Sequence, residues 1–200
     1  MDFIYERDDI LSSALCSLII HKFENDDNKH VGYVENEKID ETYKKTTDLK
    51  MNKYENWREI EITLRGLISN ELHRYLEGIN LLLGRNETNF DRVLGATFID
   101  PEISALQIQR YKSGEYYNWH IDSCNHSGFC RVLGFILYLN TLGDEDGGET
   151  EFINGKKVKP EAGKLMIFPS TWTNIHRGNV IKNGTKYIIT GFLYSRIITL

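Results

Sequence analysis

The period of the apolar residues changes once along this 200-residue chain, near residue 90, and that change limits the folds open to it. Upstream the spacing is helical. Ile10, Ala14, Leu15, Leu18 and Ile19 share one face of a helix that Asp8-Asp9 could cap and that runs to about Phe23. Trp57, Ile60, Leu64, Leu67, Ile68, Leu72, Tyr75, Leu76, Ile79 and Leu83 mark a longer helix, with Gly84 where a helix usually stops. Residues 24–55 between them are polar, with turn formers Asn25-Asp26-Asp27-Asn28, and are expected to form irregular loops with one short strand near 31–34. After residue 90 the period is two. Strands are expected at 105–111, 115–121, 131–140, 149–153, 163–168, 173–177 and 185–195. Turn signals separate them: Lys112-Ser113-Gly114, 143–148, Asn154-Gly155 and Asn183-Gly184. Short strands following two helices predict an α+β chain: an antiparallel jelly-roll or barrel with helices packed on one face.

Composition removes several classes. Apolar residues at 40% and charged residues at 26% describe an ordinary globular chain, and the length suits one domain spanning 1–200. The longest uncharged apolar stretch, 10–20, is too short to span a bilayer, so no membrane partner is expected. A net charge of −5 with no basic stripe argues against a nucleic acid partner. The first residues lack a basic segment and cleavage site, so no secretory signal is expected. Three cysteines, an odd number, are expected to be reduced thiols in the cytoplasm, or the host cytoplasm if the source is viral.

His120-Ile121-Asp122 falls at the end of an expected strand. Residues i and i+2 point to one face, so an imidazole and a carboxylate converge. His176, after the polar run Thr171-Trp172-Thr173-Asn174, can supply a third ligand. Two histidines and one carboxylate on one face of a metal leave the other face open, as non-haem Fe(II) oxygenases require. Ten residues on, Lys186 opens the last long strand, where a cation among apolar residues could neutralise the distal carboxylate of a dicarboxylate co-substrate. Taken singly, each has a plainer reading: a chance H-x-D, a hydrogen-bonding histidine, a solvated lysine. Their order on strand edges favours the site.

The run from Tyr111 through Tyr117 to His120-Ile121-Asp122 resembles the Fe(II)/2-oxoglutarate-dependent dioxygenases of the prolyl 4-hydroxylase type. So do Arg131 with Ile136-Leu137-Tyr138-Leu139-Asn140, the Gly147–Phe152 run, Val158-Lys159-Pro160, the Gly163–Phe168 run, His176-Arg177-Gly178 and Gly184-Thr185-Lys186-Tyr187. The resemblance covers about 104–195. It implies a double-stranded β-helix (jelly-roll) with N-terminal supporting helices, residues 1–90 giving helical support and substrate loops and 91–200 the catalytic core. It implies His120, Asp122 and His176 as iron ligands and catalytic residues. Lys186 would pair with the distal carboxylate of 2-oxoglutarate, with Tyr138 donating to the same group. Tyr111 and Tyr117 would line the pocket, and Thr190 would face it by alternation with Lys186. Arg131 matches a position linked to peptide binding. Phe192 stands where many relatives carry tryptophan, and would bear on substrate orientation. The implied chemistry uses Fe(II), 2-oxoglutarate and O2, with ascorbate as a stimulant, to hydroxylate a prolyl residue of a peptide or protein while 2-oxoglutarate is converted to succinate and CO2.

The alternatives are the same chemistry on a lysyl or other side chain or a free amino acid, and an inactive jelly-roll that only binds. The oligomeric state is not legible. Cys124, His126 and Cys130 follow the H-x-D motif but lack a fourth zinc ligand, so 123–129 is expected to be an active-site lid. The 143–148 segment lacks the calcium-loop pattern and is expected to be a solvated turn.

Overall fold

The computed structural model describes residues 3–34, 38–83, 97–98, 100–126 and 128–196; the Gly84 stop signal lies outside them. Two helices form where the helical period predicts them. Helix α1 spans Ser13–Glu24, so it starts later than Asp8-Asp9 suggest. Its cap is Ser12, whose side chain accepts from the Leu15 amide at 3.2 Å, while Asp9 turns the chain at φ 57° just before it. Lys29 closes the other end, its ammonium donating to the carbonyls of Phe23 and Glu24, where a cation suits the helix dipole. Helix α2 spans Arg58–Leu82 and buries Leu64, Ile68, Leu72 and Tyr75 along one stripe. Among the described residues no helix is long and apolar enough to cross a membrane.

The strands, in chain order, are β1 (Tyr5–Arg7), β2 (His30–Val31), β3 (Lys44–Lys45), β4 (Thr47–Lys50), β5 (Glu102–Ile103), β6 (Gln107–Lys112), β7 (Tyr116–His120), β8 (Asn125–His126), β9 (Phe129–Tyr138), β10 (Thr150–Phe152), β11 (Lys157–Val158), β12 (Leu165–Pro169), β13 (His176–Gly178) and β14 (Thr185–Arg196). The larger sheet runs β1-β12-β9-β14-β6-β4-β2, with β5 against β14 and β8 against β9; the smaller runs β11-β10-β13-β7-β3. All pairings are antiparallel among the described strands. This is the double-stranded β-helix with supporting helices.

Two expectations need correction. Residues 24–55 are not irregular loops with a single short strand. β3 joins the smaller sheet and β4 the larger, with only Thr46 between them, so one short segment stitches the two sheets together. The strand expected at 173–177 starts only at His176, because 172–174 form a 3₁₀ turn. The Thr/Asn-rich approach favours side-chain bonds over a ladder: Thr173 Oγ1 donates to Asn174 Oδ1 at 2.9 Å.

The larger sheet separates two cores. One face packs Leu133, Phe135, Leu137 and Ile189 against α1 and α2, through Ile19, Phe23, Leu64 and Ile68. The other face, turned toward the smaller sheet, packs Tyr111, Ile136, Tyr138 and Ile188 with Phe152 and Phe168. The histidines lie on that inner side.

Candidate active site

His120 ends β7 and His176 begins β13, and the two are paired directly across the smaller sheet. Asp122 follows two residues after His120. Its Oδ1 is 3.6 Å from His120 Nε2 and its Oδ2 is 3.7 Å from His176 Nε2. One donor atom from each of the three residues lies within 4.8 Å of the others, a separation one metal ion can bridge. The backbone fixes both tautomers. His120 Nδ1 lies 2.7 Å from the Asn118 carbonyl and His176 Nδ1 lies 3.0 Å from the Asn174 carbonyl. A carbonyl only accepts, so each Nδ1 carries the proton and each Nε2 keeps a lone pair facing Asp122. Burial pushes the His120 pKa down to about 4, helped by neighbouring His176 and opposed by Asp122, so the ring is neutral and ready to ligate at physiological pH. This donor set fits Fe(II) with an open face.

A bulge shapes the site. His176 pairs with His120, but Gly178 pairs with Tyr117, so Asn118 and Trp119 together face the single residue Arg177. In a regular strand positions 117 and 120 would point to opposite faces. The bulge brings them to one side, where the Tyr117 ring stacks on the His120 imidazole at 3.7 Å and 12°. A second bulge lies in β9: Leu133 pairs with Leu193 but Arg131 with Tyr194, leaving Val132 as the extra residue. Arg131 is thereby turned toward the site. Its guanidinium lies 3.9 Å from the Phe192 ring centroid, and it donates to Tyr194 Oη at 3.2 Å and toward the Asp122 carbonyl at 3.4 Å.

Lys186 is buried at 1% exposure inside the barrel. Its ammonium donates to the Gly148 carbonyl at 2.8 Å and lies 4.4 Å from the Tyr111 ring centroid. Burial pulls its pKa from 10.5 to about 7, with Glu149 opposing at a distance. Tyr138 is fully buried, its hydroxyl 2.7 Å from Thr150 Oγ1, and burial holds it protonated. Tyr111 donates to Gln109 Oε1 at 2.8 Å. Thr190, half-buried, pairs with Ile136 and Gln107 and shares the strand parity of Lys186 and Ile188.

In the 123–129 segment β8 pairs with β9, with Asn125 opposite Cys130. Cys124 is exposed, Cys130 half-buried, and neither belongs to the ligand cluster found among the described residues. Gly134 is a site residue the sequence reading missed. A Cβ there would stand 2.8 Å from Asp122 Oδ2 and 2.9 Å from Phe168 Cζ, so the carboxylate rests on bare backbone. A lone glycine inside a strand was the available signal.

Residues 106–194 match the model of the 2OG-Fe(II) oxygenase superfamily. A PKHD-type hydroxylase of Synechococcus sp. (strain CC9902) is 31% identical over 98 residues, 48% of this chain and 43% of that one. The chain thus spans under half the length of such curated relatives. Among solved structures, a viral collagen prolyl hydroxylase from Paramecium Bursaria Chlorella virus-1, determined as its 2OG complex, superposes with a TM-score of 0.63 at 19% identity, covering 96% of each chain. A Trichoplax adhaerens prolyl hydroxylase in complex with a hypoxia inducible factor peptide fragment gives 0.70 at 17% identity, covering 98% of this chain and 84% of that one. These two likenesses establish the fold. Residues 106–194, under half of the chain, are thus similar to the 2OG-Fe(II) oxygenase superfamily, and the fold is shared with prolyl hydroxylases. The family's cofactors are Fe(II), 2-oxoglutarate and O2.

Proposed function

We propose that this chain is an Fe(II)- and 2-oxoglutarate-dependent dioxygenase that hydroxylates a prolyl residue in a peptide or protein, with helices and sheets acting as one domain. The observation that carries this reading is the lysine buried beside the histidine cluster. No ion pair among the described residues includes Lys186. A buried ammonium without a counter-charge is costly, and a bound anion would supply one. Its Nζ lies 3.6 Å from where a Gly178 side chain would begin, and Gly178 is two strand residues, about 7 Å, from His176. A five-carbon dicarboxylate would fit that gap, with Lys186 holding one end and the histidine cluster lying at the other.

His120, Asp122 and His176 hold Fe(II), and Lys186 pairs with the distal carboxylate. Tyr138 donates to the same carboxylate once Thr150 donates to Tyr138. Tyr111 and Tyr117 wall the pocket and Thr190 faces it. The iron with 2-oxoglutarate and O2 supplies the oxidising chemistry, delivering a hydroxyl group as 2-oxoglutarate becomes succinate and CO2. The chain's own share is to fix the imidazole tautomers, to dock the co-substrate and to keep water from the inner core. Arg131, clamped on Phe192 beside the Asp122 carbonyl, keeps donors for a peptide carbonyl. The prolyl substrate is supported by the prolyl hydroxylases that share the fold.

The test is succinate formation from 2-oxoglutarate with Fe(II), ascorbate and O2, with and without a desalted protein lysate, followed by mass spectrometry of proline-containing peptides. Lysate-stimulated turnover and a gain of one oxygen on proline are expected. His176→Ala should lower turnover by more than the roughly 100-fold seen when a ligand's hydrogen-bond partner is lost. Oxygen gained on another residue type would discard the prolyl substrate alone. Unchanged turnover in His176→Ala would discard the site.

A further inference from the structure

The corner between β3 and β4 packs behind Tyr117 and holds an ion pair that the co-substrate and metal do not require. Lys44 Nζ lies 2.7 Å from Asp48 Oδ2, with side chains only 4% and 0% exposed. Asp48 also accepts from Thr46 Oγ1 at 2.7 Å and Gln107 Nε2 at 2.6 Å, so its carboxylate is fully engaged. Gly32 covers the corner so closely that a Cβ there would collide with Thr46 Oγ1. A buried ion pair is a poor way to gain stability, since apolar residues of similar volume often serve as well. What this pair does hold is an ammonium at a fixed place, 5.3 Å from the centroid of the Tyr117 ring. The same ring stacks on the His120 imidazole. The neighbouring residue secures the bulge that makes this stack: Tyr43 accepts from the Asn118 amide at 2.9 Å and donates its hydroxyl to the Trp119 carbonyl at 2.7 Å.

We infer that Lys44 is a positioning residue for the metal centre: fixed by Asp48, its ammonium holds the Tyr117 ring against His120 and so sets the orientation of that imidazole. The inference rests on the reading of His120, Asp122 and His176 as metal ligands. A cation over an aromatic ring is attracted more strongly when it is removed from water, as Lys44 is here over the half-buried Tyr117. The outcome is a chain of contacts from the stitching corner of the two sheets to a ligand. Reorienting an imidazole by a small angle turns its Nε2 lone pair away from the ion, which weakens the metal without unfolding the protein.

Co(II) binding to the full-length metal-free protein, followed by calorimetry, tests this without relying on turnover. Lys44→Met should weaken Co(II) about 10-fold, within the range seen when groups that orient a ligand are removed. Lys44→Arg, which keeps the cation and the pair, should restore affinity. The double variant Lys44→Met with Asp48→Asn strands no carboxylate and should lose the same affinity, so it decides the matter if the single variant does not fold. Trp57→Phe is the structural control. It removes the 2.8 Å bond from Trp57 Nε1 to Asp26 Oδ2, far from the ligands in sequence, and should lower the urea midpoint with Co(II) affinity unchanged. Wild-type affinity in the double variant, or equal losses in Trp57→Phe, would overturn the role of Lys44. A wild type that binds no Co(II) would overturn the metal centre itself, and this inference with it.

Discussion

The two faces of β14 show how one strand serves two environments. Ile189 and Leu193 face the helices and join an almost wholly apolar core with Phe135, Leu137, Leu64 and Ile68. Lys186 and Ile188 face the smaller sheet, among Tyr111, Tyr138 and, two residues from the lysine's neighbour Gly178, His176. The first face contributes the hydrophobic gain that holds sheet to helices. The second buries a cation, Lys186, with the phenols of Tyr111 and Tyr138 and the His176 imidazole. Stability and chemistry are thus divided by the parity of a single strand, and substitutions on the two faces should separate them.

Loss of both stability and metal affinity is expected from Gly134→Ala. Its Cβ would press on Asp122 Oδ2 at 2.8 Å and on Phe168, which itself packs edge-on against His176 at 4.8 Å between centroids. Overpacking of this kind costs about 1–3 kcal/mol. The displaced carboxylate should in addition weaken metal binding by about 10-fold or more, since ligand placement is disturbed directly. Parallel thermal melts and metal titrations check both; full metal affinity would show that Asp122 does not need the bare backbone.

Lys186→Met should divide stability from function in opposite directions. The lysine's folded pKa of about 7 lies below its ordinary 10.5, so between these values the unfolded chain holds a proton that the folded chain does not. Stability of the ligand-free protein therefore rises with pH across that window, and below pH 7 the burial penalty is complete, at most roughly 5 kcal/mol. The methionine variant should be the more stable below pH 7, with the gap closing toward pH 10.5. Its KM for 2-oxoglutarate should rise about 30-fold or more, corresponding to about 2 kcal/mol for a truncated buried charge pair. In the wild type that KM should climb above pH 7 as the ammonium is lost, and the slope should vanish in the variant. A flat wild-type profile would remove Lys186 from co-substrate binding.

Legibility followed the same division. Helical and two-residue periods located both helices and the long strands, and alternation alone put Lys186 and Thr190 on one face of β14. Alternation could not show the bulges. At 118–119 and at Val132 the parity slips by one, and those slips carry Tyr117 and Arg131 to the site. Nor could it show β3 and β4, because strands of two and four residues rich in lysine lack an apolar period and are held by their neighbours. The tautomer-fixing partners of the histidines are backbone carbonyls of Asn118 and Asn174, which any residue would provide, so no side-chain pattern could mark them.

The smallest effect gives the sharpest comparison. Ile188 and Ile189 are adjacent on β14, both buried at 4% and 0% exposure, and differ in which core they enter. Valine at either position deletes one methyl group and should cost about 0.5–1.5 kcal/mol. Melting temperatures should therefore fall by similar amounts. Ile188 shares its cluster with Tyr111 and Tyr138. Loosening that packing should shift the KM for 2-oxoglutarate severalfold in Ile188→Val. Ile189→Val, absorbed among Phe135, Leu137 and the helices, should leave the KM unchanged. Equal kinetic shifts in both would mean that the larger sheet transmits strain between its faces and that the two cores are energetically one; equal stability loss with a shift only at Ile188 would confirm that strand parity insulates the chemistry from the scaffold.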